Sequence, residues 1–107
     1  MSYGKLVRDR IPEIITNNGE RPITRVLSKE EYKIELENKL LEECREVINS
    51  SKDERIEELA DLLEVMIALG KIEGKTLEEI LNVRESKKIK RGGFDKMIYL
   101  CDVEKNK

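Results

Sequence analysis

Apolar positions along the chain fall into helical rather than alternating spacing. After a short polar opening, Asp9 stands before Ile11, Pro12, Ile14 and Ile15, and this predicts a short helix with Pro12 in its first turn and Gly19 past its end. Residues 20–27 are β-branched and interrupted by Pro22, which predicts an extended connection or edge strand near 21–27. Ser28 and Glu31 have the spacing of a capping box, opening a helix that runs to about Asn49. Leu36, Leu40, Cys44 and Val47 form its apolar stripe, broadened by Leu41 and Ile48. The polar stretch 49–53 is short enough to join antiparallel helices. From Glu54 to Ile72 the apolar residues cover more than half of a helical circumference, which predicts a central helix. One thin layer of neighbours cannot cover such a helix on all sides, so a homodimer or higher homo-oligomer is expected. Gly74 ends this helix, Thr76 with Glu79 caps a third long one to about Lys90, and Gly92-Gly93 stops it. The tail from Phe94 to Val103 has a mixed pattern compatible with strand or helix. The expectation is an all-α antiparallel bundle forming one domain over residues 1–107.

Composition narrows the chemistry. The chain has 107 residues, no histidine and no tryptophan, and 41% of its residues are charged. Lacking histidine, it has no Ser-His-Asp triad, no Cys-His pair and no histidine-ligated zinc. Cys44 and Cys101 lie too far apart for a CxxC motif, and reduced thiols in a cytoplasmic protein are expected. Cys44 falls on the apolar stripe, as a small core residue would. The start, Met1-Ser2-Tyr3-Gly4-Lys5, opens no apolar leader, and the longest strictly apolar run is Val65 to Leu69, so neither a signal peptide nor a membrane span is expected. A net charge of -2 argues against a nucleic-acid polymer as partner. Carboxylates are the chemistry that remains.

Their arrangement is specific. One helix carries Glu42-Glu43-Cys44-Arg45-Glu46 and the next Glu58-Leu59-Ala60-Asp61. Residues level across an antiparallel hairpin have position numbers with a constant sum. The pairs Glu43/Asp61 and Glu46/Glu58 share one sum, whose midpoint falls at Lys52 in the predicted turn. Within each helix the acids are about 4.5 Å apart along the axis. Glu43 falls at the margin of the apolar stripe and Glu58 between the directions of Val65 and Leu69. A carboxylate aimed at a core needs compensation, and converging like charges repel. Each acid alone is explained by a solvated surface, with Lys39 pairing Glu42 or Glu43 and Arg55 pairing Glu58. The four together favour a divalent cation, and an all-oxygen donor set selects a hard one, Mg²⁺ or Mn²⁺.

EExxE on one helix followed by ExxD on the next resembles the signature of the all-α nucleoside triphosphate pyrophosphatases, which include MazG, the dimeric dUTPases and phosphoribosyl-ATP pyrophosphatase. The segment Lys5-Leu6-Val7-Arg8-Asp9-Arg10-Ile11-Pro12-Glu13-Ile14-Ile15 and the run Arg91-Gly92-Gly93-Phe94 are similar to a short MazG-like, phosphoribosyl-ATP pyrophosphohydrolase-like branch. The resemblance spans nearly the whole chain. It implies a Mg²⁺-dependent helical enzyme that hydrolyses the α–β phosphoanhydride of a noncanonical nucleotide or phosphoribosyl-ATP-like substrate, releasing monophosphate and pyrophosphate. On this likeness Glu43, Glu46, Glu58 and Asp61 become metal ligands, and Glu42 stands behind them or orients the attacking water. The metal lowers the water's pKa and a neighbouring carboxylate acts as base.

The cations have two explanations. Arg84, Lys87 and Lys88 continue the inward spacing of Leu77, Ile80 and Leu81, and Lys90 and Arg91 follow, but basic residues also favour a helix C-terminus through its dipole. The resemblance makes Lys88 and Arg91 candidate phosphate contacts, together with Lys5 and Arg8 at the start of the chain. A different class of function is a non-catalytic helical module that dimerises or senses nucleotide or metal. That alternative supplies no reason for acids on apolar faces.

Overall fold

The structure, a computed structural model, describes residues 4–105. Met1–Tyr3, part of the stretch read above as lacking an apolar leader, lie outside the described residues. Four helices follow in order: α1 (Ile11–Asn17), α2 (Lys29–Asn49), α3 (Arg55–Ile72) and α4 (Leu77–Arg91). The fold is all-α, with no strand among the described residues. The chain divides into two compact units between Lys75 and Thr76.

In the first unit, α1 has Pro12 in its opening turn, where a missing N–H costs nothing. It begins at Ile11 rather than Asp9, because residues 9 and 10 form a turn. It ends at Gly19 (φ +85°), whose N–H donates to the Thr16 carbonyl while that of Glu20 donates to Ile15. The same two-bond stop ends α3, where Gly74 (φ +73°) donates to Lys71 and Lys75 to Gly70. Both positions need the left-handed backbone that glycine adopts without a Cβ clash.

The capping box at Ser28 is complete. Its hydroxyl accepts from the Glu31 N–H at 3.2 Å and the Glu31 carboxylate accepts from the Ser28 N–H at 3.1 Å. Arg25 adds a bond to Glu31 Oε2 at 2.9 Å. Residues 20–27, read as an extended connection or an edge strand, have no regular secondary structure, so the strand does not form. A strand needs a partner ladder, and Pro22 removes one of the donors it would use.

α2 and α3, joined through Ser50–Glu54, pack against each other as an antiparallel hairpin. The centre of their contact holds Leu36 from α2 (3% exposed) and Val65 from α3 (7%). Leu40, Cys44 and Val47 on α2 and Leu62 and Leu69 on α3 are half-buried around them. α3 is apolar over a broad arc as expected, but only one side is covered. Ile56, Leu59, Leu63 and Met66 are exposed, the last three at 42% each.

The second unit contains α4, opened by a capping box between Thr76 and Glu79 and closed at Gly92. Lys88, Lys90 and Arg91 lie in its last turn. Residues 92–105, which follow, have no strand or helix, and Phe94, Met97, Ile98, Tyr99 and Leu100 are exposed.

Candidate metal centre

The α2–α3 hairpin brings three acids together. Glu43, Glu58 and Asp61 each offer one carboxylate oxygen, and these oxygens all lie within 4.8 Å of one another. The helical register explains the meeting: Glu58 and Asp61 are successive positions on the side of α3 that carries Leu62, Val65 and Leu69 toward α2. Glu43 sits one turn from Val47 on the facing stripe and is buried, with 9% of its surface exposed.

Cations surround the trio. Lys39, mostly buried one turn before Glu43, has its Nζ 3.8 Å from Glu43 Oε1 and 3.6 Å from Glu42 Oε2. Lys5 Nζ lies 3.7 Å from Glu42 Oε1. Arg8 Nη2 donates to Asp61 Oδ1 at 2.8 Å. Burial pushes the Glu43 carboxyl above its ordinary pKa, opposed by Lys39 and reinforced by Asp61, Glu42 and Glu46. The Glu58 carboxyl is raised as well, first by desolvation and then by Glu46, Asp61, Glu43 and Glu54. Glu46 is exposed and lies outside the trio, yet it is near enough to act on both carboxyls.

This donor set fits a hard divalent cation. Carboxylate oxygens are the ligands such ions take, and neighbouring oxygens on an octahedral Mg²⁺ at about 2.1 Å are about 3 Å apart, so the three carboxylates draw in by roughly 1–2 Å to share one ion. Charge agrees in sign: Glu42, Glu43, Glu46, Glu54, Glu58 and Asp61 outnumber Lys5, Arg8 and Lys39.

Of the residues predicted from sequence, Glu43, Glu58 and Asp61 are the ones placed within ligand distance of one another. Glu42 is tied to Lys5 and Lys39 at the margin. Lys5 and Arg8 bond to acids of the site, while Lys88 and Arg91 belong to the second unit. The pairings of Lys5 with Glu42 and Arg8 with Asp61 have no signature in sequence beyond opposite charge, since no helical period links positions this far apart.

Comparison with known proteins gives one short match. An uncharacterized protein of Mycolicibacterium smegmatis is 51% identical over 43 residues, 40% of this chain and 44% of that protein. The chain thus matches under half the length of that relative. No family model matches the chain, and no solved structure matches it.

Proposed function

We propose that the chain is a divalent-metal-dependent nucleotide pyrophosphohydrolase with a MazG-like bundle. It would cleave the α–β phosphoanhydride of a noncanonical nucleotide or a phosphoribosyl-ATP-like compound to monophosphate and pyrophosphate. The observation that carries this reading is the trio Glu43, Glu58 and Asp61, converging from two helices with Glu43 buried. The resemblance of EExxE and ExxD to the superfamily signature supports it.

In this reading Glu43, Glu58 and Asp61 hold Mg²⁺ or Mn²⁺, with Glu46 available from the margin. The bound ion supplies Lewis acidity toward phosphate oxygens and lowers the pKa of water at the site. Glu42 is held by Lys39 and Lys5 next to Glu43, and orients the attacking water or accepts its proton. Lys5 and Arg8 lie at the rim, where Arg's planar fork suits phosphate oxygens. Lys88 and Arg91 are further phosphate contacts proposed from the resemblance.

A homo-oligomer belongs to the same reading. Ile56, Leu59, Leu63 and Met66 are exposed on α3 at the 3-4-3 spacing of a coiled-coil seam. On α2, Ile34, Leu41 and Ile48 are exposed at intervals of seven. A second copy covers both rows, and Leu63→Glu is expected to convert the oligomer to monomer by solution mass. A cytoplasmic location accords with a nucleotide substrate and with two cysteines outside any disulfide. No helix among the described residues is long and apolar enough to cross a membrane.

The test is pyrophosphate release over standard and modified nucleotides, with and without Mg²⁺. Glu43→Gln and Glu58→Gln are expected to lower activity by more than the roughly 10–100-fold typical of residues that only support metal ligands. Unchanged activity in both variants removes the site. Metal binding without cleavage of any nucleotide assigns a sensor instead.

A further inference from the structure

The stretch leading into α1 crosses the acidic site. Gly4–Arg8 have no helix or strand, yet two of their side chains reach different helices. Lys5 contacts Glu42 on α2, and Arg8 bonds Asp61 on α3. The stretch is therefore tied across the hairpin, and its shorter tie ends on one of the trio's own carboxylates. Little else is buried with it: Leu6 is half-buried, while Lys5, Val7, Arg8, Asp9 and Arg10 are exposed.

We propose that residues 5–10 are a strap over this site that a divalent cation loosens and an anionic phosphate ligand draws closed again. The inference rests on the metal reading above and adds a moving part to it. Arg8 and the cation draw on the same Asp61 carboxylate. With side chains 57% and 46% exposed, the Arg8–Asp61 pair is a weak tie. A double positive charge at coordination distance from Asp61 repels the guanidinium bonded to that carboxylate and withdraws the negative charge that attracted it. Lys5 is a poorer anchor, because at 3.7 Å it shares Glu42 with Lys39. Once freed, Arg8 presents its planar donors at the rim. A phosphate ligand beside the cation then offers both Lys5 and Arg8 the anionic partner that the acids have given up.

Limited trypsin digestion of the full chain, cleaving at Lys5 and Arg10 and read by mass spectrometry, tests this beside calorimetric titration with Mn²⁺. The expected result is that Mn²⁺ speeds cleavage at Lys5 and Arg10 by up to about fivefold, the range an exposed ion pair allows. Cleavage at Lys39 and Arg55 in the hairpin should slow under the same conditions, and added inorganic pyrophosphate should restore protection of the strap. Arg8→Gln, shown folded by circular dichroism, should be cleaved quickly at Lys5 and Arg10 with or without Mn²⁺. Mn²⁺ binding with unchanged or slower strap cleavage in the wild type overturns the strap alone, whether or not the variant folds. Absence of Mn²⁺ binding overturns the metal centre and the strap with it.

Discussion

Replacing Glu43 by Gln separates the cost of a buried carboxylate from its use. The substitution keeps the side-chain volume and removes one anionic donor from the trio. On the proposed metal reading, a cation at a hundred times its dissociation constant would stabilise the wild-type fold by about 2.7 kcal/mol. For a chain of this length each kcal/mol moves the melting temperature by roughly 4–8 °C, so saturating Mg²⁺ or Mn²⁺ should raise it by about 10–20 °C. In Glu43→Gln that rise should fall to a small remainder. With chelator present the order reverses. Burial, reinforced by Asp61, Glu42 and Glu46, holds the Glu43 pKa above its ordinary value despite Lys39. A carboxyl raised in the folded state contributes stability that is fully present below its unfolded pKa and lost as pH rises through the folded one. Above the raised pKa the wild type has lost that contribution and the Gln variant has none to lose. The variant should therefore melt at or above the wild-type temperature in chelator, with the gap closing on acidification. Thermal melts followed by helical circular dichroism, with chelator and with saturating cation, measure both effects. An equal cation-induced rise in the two proteins refutes the role assigned to Glu43.

Leu36 is 3% exposed at the centre of the hairpin, so Leu36→Ala should cost about 2–5 kcal/mol in urea unfolding, a large share of a stability of roughly 5–15 kcal/mol. A loss below 1 kcal/mol, on the order of a surface change, would remove Leu36 from the core. Ser28→Ala should lower stability by about 1 kcal/mol by opening the capping box, and an unchanged melt would show that the box contributes nothing. Glu31 should titrate near 2, because the Arg25 side chain and the Ser28 backbone and hydroxyl bond its carboxylate. Stability from that depressed pKa is present above the ordinary glutamate range and fades as pH falls toward about 2. An NMR titration of the side-chain carboxyl carbon with an ordinary glutamate midpoint would contradict these bonds.

The helices of the hairpin and three of the four level acids could be read from the chain because both follow from local rules, while the fourth, Glu46, lies outside the trio. Ser28 with Glu31 and Thr76 with Glu79 mark their own helix starts, and a short connection fixes which residues of α2 and α3 stand level. The same rules say which residues share a face but not whether another surface covers it. For that reason Glu43, placed at the margin of its stripe by spacing, is buried, while Leu59, Leu63 and Met66 on the apolar helix remain 42% exposed. Residues 20–27 form no strand, because β-branched side chains favour extended backbone without providing a strand to pair with. The ties from Lys5 and Arg8 were out of reach for a related reason: contacts from an irregular stretch have no period, and charge alone offers many partners.

The five-residue connection between α2 and α3 has a kinetic consequence. Glu43 meets Glu58 and Asp61 across only 15 and 18 positions of chain, so little loop entropy opposes their meeting and the hairpin belongs to the fast-folding, local-contact class. Its like charges are therefore crowded on the way to the native state, as α2 and α3 close on Leu36 and Val65. Ions that screen those acids thus act on the rate of folding as well as on its equilibrium, because the repulsion is met at the barrier to forming the hairpin.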